Sequence, residues 1–362
     1  MKVFHLISGA DAGGARTHVL SLLRELNKTE PVPLLTLGDG PLAREAAAEG
    51  LSCRVLRGGF ASCLRQLGTL LSRERPDLLH CHGARANLTG ALLKERLSLR
   101  VISTVHSDWR LDYMGRPLAR VGYGTLNAAA LRRMDALVCV SDAMAERVRA
   151  RGFQRVFSVY NGADFSLPRS APSFPGGGDT VTAAAAARFD PVKDLPTLLR
   201  GFAAAAERAP GLRLLLAGAG PEDERLRALA RETGLGGRIL FPGWVEDMEG
   251  FWASADIAVI SSLSETFPYT LTMAARYGIP VVSTPVGGVP ALVENDVTGV
   301  LFPVGDAAAL ADALVRLSAD TERRRCLGRE LARRGEASFS LSSMGRRQWA
   351  IYEAILSGKD EL

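Results

Sequence analysis

The chain has 362 residues, 47% of them hydrophobic and 23% charged, a globular composition long enough for two domains with separate cores. No apolar run reaches the roughly 20 residues of a membrane-spanning helix, and the segment after Met1 lacks a secretory signal, so we expect a cytoplasmic protein, either free or peripheral at the inner face of the membrane. The five cysteines are odd in number and lack metal-ligand spacing, which fits reduced thiols and excludes a disulfide framework.

The net charge of +5 is unevenly distributed, since residues 1–165 carry +8 and residues 166–362 carry −3. A basic first half favours an anionic membrane or acceptor, although a solvated arginine-rich surface explains it equally well. Nucleic acid is also anionic, but we expect none as a partner. Within this half, Trp109–Met134 combines arginines with aromatic residues, which fits a lipid-linked acceptor or an ordinary surface helix.

The first half begins with a strand, a glycine loop and a helix: Val3–Ile7, then Gly13 and Gly14, then Thr17–Leu26. This is the opening of a Rossmann-like unit, although a tight turn also explains the two glycines. Further helices alternate with strands that are apolar throughout, which is typical of a parallel sheet covered on both faces. The predicted strands are Pro33–Leu37, Cys53–Leu56, Pro76–His82, Arg100–His106, Asp135–Ser141 and Val156–Tyr160.

The second half follows a stretch rich in proline and glycine, Ser166–Asp179, which we interpret as a linker. The alternation restarts at Val181–Ala187 and includes buried strands at Leu212–Ala217 and Ile257–Ser261. A last helix is predicted over Met344–Leu356. Two sheet-based domains are therefore expected.

Charged residues follow the predicted strands, where open α/β sheets bind their ligands. His106 follows one strand of the first half. Arg188 and Lys193, five residues apart after a strand of the second half, can straddle a diphosphate. Glu265 follows another strand and precedes a predicted helix. The start of this helix, with Gly287 and Gly288 further on, is suited to binding a diphosphate through backbone N–H groups.

The segment Ser261–Pro290 contains S-E-T-F-P, a helix, G-I-P-V-V and G-G-V-P, and it resembles the nucleotide-sugar site of the retaining glycosyltransferases of family four. This resemblance implies the GT-B fold, with two Rossmann-like parallel-sheet domains that face a central cleft and a C-terminal helix that crosses back to the first domain. The implied parts are an acceptor domain 1–165, a linker 166–179, a nucleotide-sugar domain 180–340 and a returning helix 341–362.

The resemblance also implies the activity: transfer of a hexose-type sugar from a UDP- or GDP-linked donor to a glycan or lipid-linked acceptor, with retention, in cell-envelope or polysaccharide biosynthesis. We expect no cofactor and no metal, since no Asp-x-Asp motif is present. Catalytic roles are implied for His106, Glu265, Arg188 and Lys193. Further donor contacts are implied for Gly13, Gly14, Gly243, Thr266, Phe267, Tyr269, Thr270, Met273, Gly287 and Gly288.

The sequence departs from the family pattern in several places. The family has a second glutamate that holds the ribose hydroxyls, and Met273 occupies that position. Ala187 and Asp194 replace glycines beside Arg188 and Lys193, and Pro268 lacks an N–H at the helix start. Two other interpretations therefore stay open: a sugar-nucleotide epimerase or phosphorylase of the same fold, and a catalytically weak sugar-nucleotide-binding subunit.

Overall fold

The computed structural model describes residues 1–11, 13–108, 124–174 and 180–360. Contacts divide the chain into two compact units, Met1–Gly162 with Leu341–Leu362, and Ala163–Ser340. Among the described residues, no helix is long and apolar enough to cross a membrane. The arginine-rich segment of the first half lies outside the described residues over 109–123.

The first unit is built on a seven-stranded sheet in the order β3-β2-β1-β4-β5-β6-β7, and every pairing is parallel. Most of these strands are buried along their length, as the apolar runs predict. The chain order reverses between β1 and β4, so the loops after these two strands diverge and leave room for a ligand. The strands are β1 Val3–Ser8, β2 Leu34–Leu37, β3 Cys53–Leu56, β4 Leu78–His82, β5 Arg100–Val105, β6 Ala136–Cys139 and β7 Val156–Ser158.

Helices cover this sheet, and the last helix of the chain is one of them. Its side chains Ile351, Tyr352 and Ile355 are fully buried in one core with Leu20 and Leu23 of the first helix. The predicted return of the C-terminal helix to the first half is thus observed. The helices are α1 Gly14–Leu26, α2 Pro41–Ala48, α3 Phe60–Glu74, α4 Ala84–Leu97, α5 Thr125–Leu131, α6 Asp142–Arg149 and, at the end of the chain, α14 Leu341–Leu356.

The second unit has a six-stranded parallel sheet in the order β10-β9-β8-β11-β12-β13. Its order reverses between β8 and β11. Small alanine side chains of β8 and larger leucines of β9 fill one core with Phe189 and Phe202. The strands are β8 Val181–Ala186, β9 Leu212–Ala217, β10 Ile239–Gly243, β11 Ile257–Ile260, β12 Val281–Ser283 and β13 Gly299–Leu301.

The helices of the second unit follow its strands, as right-handed βαβ crossovers require. Most of those between strands connect neighbours in the sheet, whereas Met248–Ala253 lies between β10, at one edge of the sheet, and β11, in its middle. The helices are α7 Leu195–Arg208, α8 Asp223–Glu232, α9 Met248–Ala253, α10 Tyr269–Tyr277, α11 Val289–Leu292, α12 Ala307–Ala319 and α13 Thr321–Ser338, with a 3-10 turn at Pro191–Lys193.

The segment interpreted as a linker differs from that expectation in its described part, 166–174. Ser173 N donates to Gly250 O at 3.1 Å, and Arg276 Nη2 donates to Pro168 O at 3.1 Å. These bonds fasten the segment to the second unit. Proline and glycine content predicts the absence of regular structure, but it carries no information on hydrogen bonds to distant side chains.

Candidate functional site

The second unit places two predicted site residues beside its reversal of strand order. Lys193 ends the 3-10 turn that follows β8, and Glu265 lies in the loop that follows β11. Because β8 and β11 are adjacent and parallel, their carboxyl ends meet at the same edge of the sheet. Both side chains line a cavity at this edge, together with Ser262, Pro268 and Thr270.

Lys193 and Glu265 form an ion pair with 2.6 Å between Nζ and Oε1. Ser262 Oγ donates to the same Oε1 at 2.6 Å. The lysine side chain is 23% exposed and the glutamate side chain 10%. A pair this sheltered is screened by water and salt much less than a surface pair.

Backbone contacts hold the loops that carry this pair. Leu263 N donates to Val192 O at 2.8 Å, and Ser261 Oγ donates to Lys193 O at 2.9 Å. On the other side, Thr284 Oγ1 donates to Ser262 O at 2.7 Å. The positions of the lysine and the glutamate are therefore fixed by the loops after three neighbouring strands.

Arg188 lies at the same edge but is held differently. Its side chain is 76% exposed and forms an ion pair with Asp190. An exposed guanidinium two residues from its partner is free to exchange that partner for another anion at little cost. The structure thus brings Lys193 and Glu265 into contact and leaves Arg188 exposed.

Helix α10 begins at this edge with its first-turn backbone groups directed to the site. Pro268 is its N-cap residue, and the proline side chain makes no capping hydrogen bond. Thr270 Oγ1 donates to Ala186 O at 3.2 Å, which fixes the first turn to the end of β8. Leu271 N is already bonded to Pro268 O at 3.0 Å. A helix N-terminus offers positive potential to an anion, so this helix start is a candidate anion site.

Two predicted donor residues make contacts within the protein. The Phe267 side chain is 2% exposed and stacks on Phe339 with 5.1 Å between ring centroids. Gly288 N donates to Thr266 O at 2.7 Å, and its contact with a diphosphate stays a prediction. At Gly287, φ is +57° and an added Cβ would stand 1.8 Å from Glu265 O. The glycine pair lets this loop pack closely on the Glu265 loop.

Two other predicted donor contacts, Met273 and Gly243, belong to the same unit. Met273 occupies a half-buried position one turn into α10 from Tyr269. Gly243 ends β10 with φ of +76°, and its carbonyl accepts from Gly218 N at 2.8 Å. The next residue, Trp244, is 68% exposed, so an indole face is open to a ligand.

The first unit collects all five histidines of the chain in one cluster. Four of them are buried and His106 is half-buried, at the carboxyl half of the sheet, where the strand order reverses between β1 and β4. His5 lies on β1, His80 and His82 on β4, and His18 on α1, while His106 follows β5. The sequence singled out His106, but it did not predict that the other four histidines join it. His5 is the direct partner of His80 in the pairing of β1 with β4, and this pairing brings the two residues together.

Hydrogen bonds connect most of these rings to each other and to α14. Tyr352 Oη lies 2.8 Å from His5 Nε2 and 2.7 Å from His80 Nδ1. His5 Nδ1 lies 3.0 Å from His82 Nε2, and His82 Nδ1 lies 3.1 Å from His106 Nε2. Separately, His18 Nδ1 lies 2.9 Å from Asn161 Oδ1. Each ring nitrogen of His5 and His82 therefore has a partner.

Burial makes these histidines hard to protonate. It lowers the pKa of His5 to about 3, with a further contribution from His18, and the pKa of His18 to about 4. Burial, followed by repulsion from neighbouring rings, also holds the pKa values of His80, His82 and His106 well below the usual 6.5. All five rings are thus neutral at pH 7.

Metal binding is the alternative use of such a cluster. Two groups among the described residues have ring nitrogens within 4.8 Å of one another. The first group is His5, His80 and His82, and the second is His18, His82 and His106. In the first group every ring nitrogen already has a hydrogen-bond partner. Hydrogen bonding therefore accounts for that geometry without an ion.

Gly13 and Gly14 begin α1 beside this cluster. Gly13 is the N-cap residue, with φ of 71°, and an added Cβ would have nothing within 4 Å at either glycine. Thr17 N donates to Gly13 O at 3.1 Å. The turn needs a glycine at 13 for its backbone angle, and the open space leaves the helix start accessible to an anion.

Two family models match the chain: Glycosyltransferase Family 4 over residues 12–167 and Glycosyl transferases group 1 over residues 179–320. The chain belongs to the family-four glycosyltransferases. The lipopolysaccharide core biosynthesis glycosyltransferase LpsE of Rhizobium meliloti is 27% identical over 347 residues, which cover 94% of each protein. The D-inositol 3-phosphate glycosyltransferase of Saccharomonospora viridis is 29% identical over 364 residues, covering 88% of this chain and 84% of that protein.

A solved structure shows the same fold. The complex of Anabaena HepE with UDP-glucose matches with a TM-score of 0.83 at 19% identity, covering 99% of this chain and 100% of that one. The predicted GT-B fold is confirmed. As a family-four glycosyltransferase, the protein carries Lys193 and Glu265 in its second unit and His106 in its first, in the loops that follow parallel strands.

Proposed function

We propose that this family-four glycosyltransferase transfers a hexose from a UDP-sugar to a glycan or lipid-linked acceptor, with retention of anomeric configuration and without a metal ion. The observation that carries the proposal is the sheltered Lys193–Glu265 pair beside the start of α10. UDP is favoured over GDP because HepE, which shares the fold, is solved with UDP-glucose. The likeness to LpsE supports a role in cell-envelope polysaccharide synthesis.

The charge that develops in the reaction is negative and lies on the leaving group. As the bond from the sugar carbon to the diphosphate oxygen breaks, the acceptor hydroxyl forms the new bond and releases its proton. Lys193, the exposed Arg188 and the first turn of α10 are placed to stabilise the departing diphosphate. Such preorganised electrostatic stabilisation is usually the largest contribution to catalysis.

Glu265 is assigned to the donor sugar. Lys193 and Ser262 both bond its Oε1, so Oε2 is the oxygen that we assign to sugar hydroxyls. A carboxylate oxygen is a strong hydrogen-bond acceptor. His106 of the first unit is proposed as a catalytic residue, and Met273 leaves the ribose hydroxyls without a carboxylate partner.

Thermal-shift measurements with UDP, GDP and ADP and their sugar conjugates, all with EDTA, test the donor site. A ligand at 100 times its dissociation constant stabilises the folded state by about 2.7 kcal/mol. We expect UDP and UDP-sugars to stabilise the wild type and to stabilise Arg188→Ala less. Arg208→Ala is the matched control, because Arg208 on α7 is a surface arginine that pairs with Asp312 on α12. No shift with any nucleotide, with or without added Mg²⁺, would refute the donor assignment.

Product analysis separates the other interpretations. Transfer joins the hexose to an acceptor, an epimerase returns a changed sugar nucleotide, and a binding subunit gives nucleotide-dependent stabilisation with neither product. Met273 is the residue that favours the last of these. The sheltered Lys193–Glu265 pair favours transfer.

A further inference from the structure

One ring nitrogen of the histidine cluster is buried without a hydrogen-bond partner. His18 lies on α1, and its side chain is fully buried. Its Nδ1 lies 2.9 Å from Asn161 Oδ1, and an amide oxygen only accepts, so Nδ1 carries the proton of the neutral ring. Nε2 is then a bare acceptor, and it has no partner in the described part of the chain. A buried acceptor without a donor is costly, and a bound cation would satisfy it.

The rings of His82 and His106 stand beside His18. The centroid of the His18 ring lies 4.7 Å from that of His106 and 5.9 Å from that of His82. One ring nitrogen from each of the three lies within 4.8 Å of the other two, and His82 Nδ1 is 3.1 Å from His106 Nε2. Two imidazole nitrogens that bind the same tetrahedral zinc ion are about 3.3 Å apart. The His82–His106 pair therefore already has the spacing that one ion requires.

The ring nitrogens on the far side of His18 and His82 have partners of the kind that metal-binding histidines use. Such histidines donate their second ring N–H to a neighbouring acceptor, which fixes the ring orientation and the tautomer. His18 Nδ1 faces Asn161 Oδ1, and His82 Nε2 lies 3.0 Å from His5 Nδ1. Two of the three rings are thus oriented by other side chains.

We propose that His18, His82 and His106 form a binding site for one divalent transition-metal ion of the zinc class, with His18 Nε2, His82 Nδ1 and His106 Nε2 as ligands. Imidazole nitrogen suits zinc, copper and nickel, and three imidazoles leave the fourth position of zinc to a water molecule. Mg²⁺ prefers oxygen ligands and does not fit this site. His106 is half-buried, so the ion and its water reach the site from the side of this ring.

The ion takes no part in the reaction proposed above, and its site controls that reaction instead. His106 is a proposed catalytic residue, and the bound ion occupies its Nε2. Zn²⁺ therefore inhibits transfer, whereas removal of metal with EDTA leaves the full rate. This inhibition rests on the proposed function, but the binding of the ion does not.

Calorimetric titration of the full, untagged chain with Zn²⁺, without any substrate, tests the site. Cys326 is an exposed free cysteine, and a thiolate is itself a zinc ligand. The titrations therefore use Cys326→Ser as the parent protein. We expect one Zn²⁺ to bind per chain and Mg²⁺ not to bind.

Matched variants distinguish this site from the other histidine group. His18→Gln removes the unpartnered nitrogen and should abolish binding; the half-buried His106→Gln carries the same test if His18→Gln does not fold. Asn161→Ala keeps all three rings but removes the partner of His18, and should weaken binding by about 10–100-fold. His80→Gln removes a ring that belongs only to the group of His5, His80 and His82, and should retain the parent affinity.

Each outcome decides a separate point. No binding of Zn²⁺, or parent affinity in both His18→Gln and His106→Gln, would overturn the proposal. Binding lost in His80→Gln and retained in His18→Gln would place the ion at the other histidine group and would also overturn it. Binding that depends on His18 and inhibits transfer supports both the site and the catalytic place of His106. The same binding without inhibition retains the site and refutes the role of His106 in the proposed function.

Discussion

Replacing Lys193 by Met should separate its part in stability from its part in donor binding. The ammonium lies 2.6 Å from Glu265 Oε1, which gives a Coulomb attraction between about 2 kcal/mol in water and about 6 kcal/mol at an effective dielectric constant of 20. The lysine is partly exposed and both groups lose hydration, so we expect a net coupling of about 2 kcal/mol. Met keeps most of the aliphatic stem, so packing changes little.

The double variant Lys193→Met with Glu265→Gln is the control. Lys193→Met alone leaves a carboxylate that is 10% exposed without its cation, and should lower Tm by about 4–8 °C in a unit of this size. Adding Glu265→Gln removes that uncompensated charge and should recover most of the loss. UDP affinity, measured by calorimetry, should fall about tenfold or more in both variants, because the charge for the diphosphate is absent from each.

Two results would refute this reasoning. Equal Tm values for wild type and Lys193→Met would show that the pair contributes nothing to folding. Full UDP affinity in the double variant would show that Lys193 does not bind the diphosphate.

Three further predictions concern other parts of the molecule. Met273→Glu, compared with Met273→Gln, should strengthen UDP binding by about 1–3 kcal/mol if a carboxylate here reaches the ribose, and equal affinities would contradict this. Gly287→Ala should unfold at clearly lower denaturant, because its Cβ would stand 1.8 Å from Glu265 O; an unchanged midpoint would contradict the close packing. Stability should fall with acid: His5 and His18 have folded pKa values of about 3 and 4, so below pH 6.5 only the unfolded chain binds their protons. Between pH 6.5 and 5 this costs about 3 kcal/mol for the two together, and urea midpoints independent of pH in this window would contradict it.

The sequence predicted the architecture because its signals are local. Apolar runs predict the strands and helical spacing predicts the helices, and the observed order of elements agrees with both. The described part of the segment 166–174 was less predictable. Its bonds reach Gly250 and Arg276, far along the chain, and composition does not encode partners at that distance.

The sequence predicted the site residues one by one, and the structure adds the contacts that they make. Lys193 and Glu265 each follow a strand, so their place at the sheet edge was predictable, but their ion pair depends on the pairing of β8 with β11. The N–H of Gly288 was assigned to the diphosphate, yet it bonds Thr266 O. The histidine cluster escaped prediction because its members come from two strands, a helix and the loop after a third strand, and Tyr352 joins them from the end of the chain.

The central claim, retaining transfer from a UDP-hexose without metal, is tested most directly by following the anomeric signals of the sugar in ¹H NMR. UDP-α-glucose and UDP-α-galactose are incubated with enzyme and EDTA, and the sugar released to water or to an acceptor is read before mutarotation. Our account predicts an α-configured first product, formed equally well after metal removal and greatly slowed by Lys193→Met. A β-configured first product, or turnover that needs added metal, would contradict it.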